Sequence, residues 1–156
     1  MEQLPPMMDY NIRNGRTYMY FKGEPLYPFG YGLSYTTFAY SNLRTSSDRL
    51  NASGEITVSV DITNTGSRAG DEVAQLYISH VDSKVTRPAE ELKGFKRIKL
   101  QPAETRTVSL PLKAANLAYW NSAKGAFEVE ADRVNVRVGG SSADIKLQQV
   151  VTISSE

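Results

Sequence analysis

The stretch Glu55–Thr63, EITVSVDIT, alternates with a period of two. Ile56, Val58, Val60 and Ile62 fall on one side of an extended chain, and Thr57, Ser59 and Asp61 on the other. A strand written this way has one buried and one wet face, as antiparallel sheets do. The pattern returns downstream. TRTVSLPL (105–112) aligns Val108, Leu110 and Leu112, and RVNVRV (133–138) sets Val134, Val136 and Val138 against Asn135 and Arg137. IKLQQVVTI (145–153) aligns Ile145, Leu147, Val151 and Ile153, with Gln149 interrupting the apolar phase. Arg133 and Arg137 are expected to point to solvent.

Turn chemistry separates these runs. NTGS (64–67) follows the first strand, LQPAET (100–105) joins GFKRIKL to TRTVSLPL, and VGGSSAD (138–144) reads as the hairpin between the last two strands. Pro111 cannot donate to a ladder, so its strand is expected at a sheet edge or the proline faces outward there. No dozen-residue window carries a helical period free of Gly or Pro; KAANLAYW (113–120) has room for one or two turns. Seven or so strands with turns about every ten residues give an all-β fold, an antiparallel β-sandwich of immunoglobulin or fibronectin III type.

Residues 1–36 differ from the rest. Pro5, Pro6, Pro25 and Pro28 interrupt any helix or central strand, and the segment is rich in Met, Tyr, Phe and Gly. That is too apolar for a free linker. It reads as a long extended N-terminal arm lying on a surface, followed by the sandwich over 37–156. YPFGYGLSYTTFAYSNL (27–43) concentrates the rings, with Gly30 and Gly32 letting the backbone turn between them. Tyr and Trp serve buried contacts and exposed platforms alike, having an apolar body and a polar tip. LAYWN (117–121) is read as core or rim, with Trp120 covering an open end.

The totals exclude several classes. At 40% hydrophobic, 22% charged and a net charge of +1, the 156 residues carry no sign of disorder, of a nucleic-acid footprint or of a membrane surface. No apolar run approaches the ~20 residues of a membrane span, and MEQLPPMMDY lacks the form of a signal peptide. The absence of cysteine removes thiolate chemistry and Cys-based metal sites. A Ser-His-Asp site would need His80, but in a strand VAQLYISH its neighbour Ser79 points the other way, so His80 is expected half in solvent at a strand end. The adjacent carboxylates Asp71–Glu72 and Glu90–Glu91 diverge along an extended chain and read as solvated charges. No catalytic, metal-binding or cofactor-binding residue is expected.

Five collinear stretches carry a resemblance. PLYPFGYGLSYTTFAYSNL (25–43), NTGSRAGDEVAQLYIS (64–79), RPAEELKGFKRIKLQPAETRTVSLPL (87–112), LAYWN and VRVGGSSADIKL (136–147) resemble, in order, the C-terminal fibronectin III-like domain of glycoside hydrolase family 3. The arm QLPPMMDYNIRNGRTYMYF (3–21) is similar to the strip that leaves the preceding α/β domain of such enzymes, in a form closest to β-xylosidases and β-glucosidases. The resemblance implies a non-catalytic structural module that braces the catalytic domains of its own parent chain. It also implies a retaining glycosidase as parent, periplasmic or secreted. The family's nucleophile motif has no match here, so Asp71, Glu72, Glu90 and Glu91 inherit no role. Arg16, Tyr18, Tyr20, Phe21, Tyr27, Phe29, Tyr31 and Tyr35 are the expected domain-interface residues. Without a partner, they would leave an apolar patch or drive self-association. A stand-alone carbohydrate-binding or adhesion module using exposed aromatics is the alternative.

Overall fold

The computed structural model describes residues 6–154. Ten strands build it: β1 (Phe38–Thr45), β2 (Arg49–Asn51), β3 (Glu55–Asn64), β4 (Gly70–His80), β5 (Glu91–Leu100), β6 (Thr105–Lys113), β7 (Tyr119–Asn121), β8 (Ala126–Glu128), β9 (Arg133–Gly139) and β10 (Ile145–Ser154). Seven are long and three have three residues, matching the seven expected for the sandwich. One 3-10 turn, Ala114–Leu117, is the only helical piece among the described residues.

A three-stranded sheet, β1-β3-β6, packs on a five-stranded one, β2-β10-β9-β4-β5, and β7-β8 form a separate hairpin. Every pairing is antiparallel except β10 with β2, a three-residue parallel match at Thr152–Ser154. β6 pairs only with β3, so Pro111 does sit on an edge strand. The alternating faces meet as the sequence dictates. Ile56, Val58, Val60 and Ile62 of one sheet bury against Ala74, Leu76, Ile78, Val134, Val136 and Val138 of the other. Each fully buried Val, Leu or Ile contributes about 1.5–3 kcal/mol, so this interdigitated layer dominates stability.

Three expectations are corrected here. Gln149 keeps the inward phase, half-buried, and its Nε2 donates to Thr45 Oγ1 at 3.1 Å. Arg137 is not free in solvent: it donates to Glu90 at 2.7 Å on the outer face of β9. His80, expected half-exposed, has a side chain only 2% exposed, and its Nδ1 lies 2.8 Å from Asp132 Oδ2. The cause is register: β4 ends where β9 begins, which brings Asp132 over the end of β4. Burial pushes the Asp132 carboxyl above the usual carboxylate range, with His80 opposing that shift. Ser79 and Asp82 join no triad, because Asp82 is paired with Arg133.

Candidate domain-docking site

β4 breaks the alternation of its neighbours because both its faces are covered. Ala74, Leu76 and Ile78 face the core, while Gln75 and Tyr77 on the outer face are also buried. The arm covers them. Gln75 Nε2 donates to Gly30 O at 3.0 Å and to Gly140 O, and Tyr77 Oη donates to Gln75 Oε1 at 2.6 Å. Ser142 N donates to Phe29 O at 2.9 Å. Gly30 has φ +80°, and a side chain there would run into Gln75, so this position requires glycine. Gly32, expected to serve likewise, sits in open space and has no such requirement.

A second anchor lies earlier. Leu92 N donates to Tyr18 Oη at 2.9 Å, and Ala89 N donates to Met19 O at 2.7 Å. The Tyr18 ring stacks on Phe29 with centroids 4.1 Å apart and meets Tyr77 edge-on at 6.3 Å. These three rings zip the two anchors together. A third tie closes the arm: Thr36 Oγ1 donates to the buried Asn64 at 2.6 Å. Around the anchors the chain forms turns, not a strand, with Arg16 N donating to Ile12 O, Phe21 N to Thr17 O and Tyr31 N to Pro28 O.

The expected interface residues therefore divide. Tyr18, Tyr20 and Phe21 are half-buried. Tyr27, Phe29, Tyr31 and Tyr35 are exposed, Tyr35 at 92% and its neighbour Leu33 at 88%. Tyr27 and Tyr31 lean on each other at 5.6 Å. Arg16 is held locally, donating to Pro6 O with its guanidinium 6.0 Å from the Tyr10 ring. Beyond the arm, Val73 and Phe95 extend the same face of the sheet, since Phe95 stands opposite Gln75 in register. Phe95 escaped the sequence reading, although its place one residue after Gly94 in a strand facing VAQLYI marks it. Trp120, expected to cover an open end, is instead 54% exposed on the β7–β8 hairpin, edge-on to Phe127 at 5.2 Å.

Each carboxylate considered for catalysis has a partner. Asp71 pairs with Arg97, Glu91 with Lys93 at 3.2 Å and Glu90 with Arg137, while Glu72 accepts from Tyr40 Oη at 2.6 Å. Among the described residues, no group of three or more His, Cys, Asp or Glu could hold a metal ion.

Burial and the nearby Asp144 charge raise the Glu72 pKa, against the Tyr40 hydrogen bond that lowers it. The folded state thus binds this proton more tightly than the unfolded state does. Stability from Glu72 is full below the unfolded value near 4.5 and is lost as pH rises through the higher folded value. Glu72→Gln keeps an acceptor for Tyr40 and removes the charge. Thermal melts should show the variant more stable than the parent chain at pH 7 and equal to it at pH 3. A variant less stable at pH 7 would show the ionised pair to be favourable.

Residues 72–142 match the family described as Fibronectin type III-like domain, the class already defined by the two sheets and their register. Over 122 residues, 78% of this chain and 16% of the relative, the sequence is 45% identical to the periplasmic beta-glucosidase of Salmonella typhimurium. It is 41% identical over 140 residues, 90% of this chain and 18% of the relative, to a putative beta-xylosidase of Formosa agariphila. The crystal structure of a GH3 beta-glucosidase from Bifidobacterium adolescentis superposes with a TM-score of 0.75 at 36% identity, covering 81% of this chain and 18% of that one. The chain is a fibronectin type III-like domain of the glycoside hydrolase family 3 kind. It spans less than a fifth of the length of these relatives.

Proposed function

We propose that this chain is the non-catalytic C-terminal brace of a family 3 glycoside hydrolase, with the arm as its clamp. The parent enzyme would remove terminal β-glucosyl or β-xylosyl residues with a nucleophile and an acid/base carboxylate that lie outside these 156 residues. One observation carries the reading: the apolar side chains of Leu26, Tyr27, Tyr31, Leu33 and Tyr35, with Val73 and Phe95 of the sheet, are left exposed while the arm's backbone is anchored at Met19, Phe29 and Gly30. A monomer seldom leaves so large an apolar patch uncovered, and anchored aromatics are what a docking surface is made of. Residues 6–36 supply most of the band, so the boundary at 36/37 separates clamp from sandwich. The partners in ion pairs and hydrogen bonds that occupy Asp71, Glu72, Glu90 and Glu91 support the absence of a catalytic role.

Mixing the two parts tests the reading. The catalytic part of the parent enzyme, produced separately, should bind this chain in a one-to-one complex and gain thermal stability from it. Leu33→Asp and Tyr35→Asp, both fully hydrated positions in the free chain, should abolish the complex without changing the fold of the free chain. Binding that survives both substitutions would place the interface elsewhere. In the absence of a partner, the parent chain should self-associate at high concentration and the double variant should not.

A further inference from the structure

A cleft of about 550 Å³ opens between the arm and the outer face of the sheet. Its walls carry the rings of Tyr18, Phe21, Tyr27 and Phe29, and Glu90 lies in its lining together with Thr17 and Ser142. This volume falls within the range of small-molecule sites, which combine apolar walls with a few convergent polar groups.

Those polar groups are only partly engaged. Thr17 Oγ1 is buried with no hydrogen-bond partner. Glu90 is anchored through Oε2 by Arg137 at 2.7 Å, and among the described residues no group bonds its Oε1. Ser142 uses its backbone N–H on Phe29 O, and among the described residues its hydroxyl has no partner. Glu90 is held mostly buried, and that burial raises its pKa. A buried hydroxyl without a partner is costly, so a ligand that bonds Thr17 Oγ1 gains by binding here.

The charges narrow the ligand class. Glu90 is matched by Arg137, and Arg16 stands in the cleft wall, so there is no net negative charge to select a cation. An anion would meet the Glu90 carboxylate. A neutral ring with an apolar C–H face and several hydroxyls meets every requirement: the face packs on Tyr27 or Phe29, and the hydroxyls donate to Glu90 and exchange hydrogen bonds with Thr17 and Ser142. We infer that this cleft is a binding subsite for a neutral pyranoside. Tyr27 belongs both to this cleft and to the exposed band, so the test uses the free chain, in which the cleft is open.

The test is an amide-resolved NMR titration of the 156-residue chain with methyl β-D-xyloside and methyl β-D-glucoside. Saturable shifts should be confined to the cleft segments around Thr17, Tyr27–Phe29, Glu90 and Ser142. Tyr27→Ala, an exposed ring whose loss leaves the fold intact, should weaken binding about tenfold, the effect of one good stacking contact. Glu90→Gln, which retains an acceptor for Arg137, should weaken it comparably, and Phe127→Ala should change nothing. No saturable shift with either glycoside would overturn the inference. So would binding that tolerates Tyr27→Ala, or shifts centred on the Trp120–Phe127 hairpin. Because only a small molecule and the free chain are used, failure here leaves the docking experiment unaffected.

Discussion

Asn64→Ala should destabilise this domain by about 3 kcal/mol, read as a fall in the urea midpoint with an unchanged slope. The side chain is completely buried at the end of β3 and uses all its main bonding capacity. Its Oδ1 accepts from Thr36 Oγ1 at 2.6 Å and Gly66 N at 3.0 Å, and its Nδ2 donates to Arg68 O at 2.7 Å and Leu100 O at 3.1 Å. One amide therefore ties together the end of the arm, the turn after β3 and the end of β5. Alanine would strand the buried Leu100 carbonyl and leave Thr36 without its acceptor. Stabilities of such domains are about 5–15 kcal/mol, so the loss is a large fraction of the total. A change under about 1 kcal/mol would mean that water replaces the amide freely.

Tyr77→Ala should cost about 4 kcal/mol, the usual scale for deleting a fully buried ring. Its second consequence is more diagnostic. Tyr77 is the sheet's contribution to the zipper with Tyr18 and Phe29, and its hydroxyl holds Gln75 in place to grip Gly30. Removing the ring should loosen the arm, so that limited proteolysis cuts between residues 20 and 30 while the sandwich stays intact. Tyr77→Phe keeps the ring and loses one hydrogen bond, a cost of about 1 kcal/mol with the arm still protected. An arm in Tyr77→Ala as resistant as in the parent chain would show that the Tyr18–Leu92 and Met19–Ala89 bonds suffice to hold it.

Much of this was legible in the sequence wherever a strand had one wet face. Ile56 to Ile62, Val108 to Leu112 and Val134 to Val138 all landed on the inner faces as their spacing required. β4 was harder to read, because Gln75 and Tyr77 are buried by the arm and not by the core. The run VAQLYI, apolar on both phases except at Gln75, is the trace such a doubly covered strand leaves. His80 and Asp132 could not be paired in advance: 52 residues separate them, and only the β4–β9 register brings them together. Trp120 misled for the opposite reason. A lone tryptophan beside a 3-10 turn is commonly core, yet the short hairpin it occupies has no layer above it. The rings expected at an interface divide into half-buried and exposed sets through backbone bonds that sequence does not encode locally.

The central claim is that these residues work as one domain of a larger glycosidase. The size of the native protein, measured by blotting extracts of its source with an antibody raised against this domain, tests it most directly. A module of a larger enzyme gives a band several-fold larger than 17.3 kDa. A band near 17.3 kDa would contradict it and make the chain an independent module.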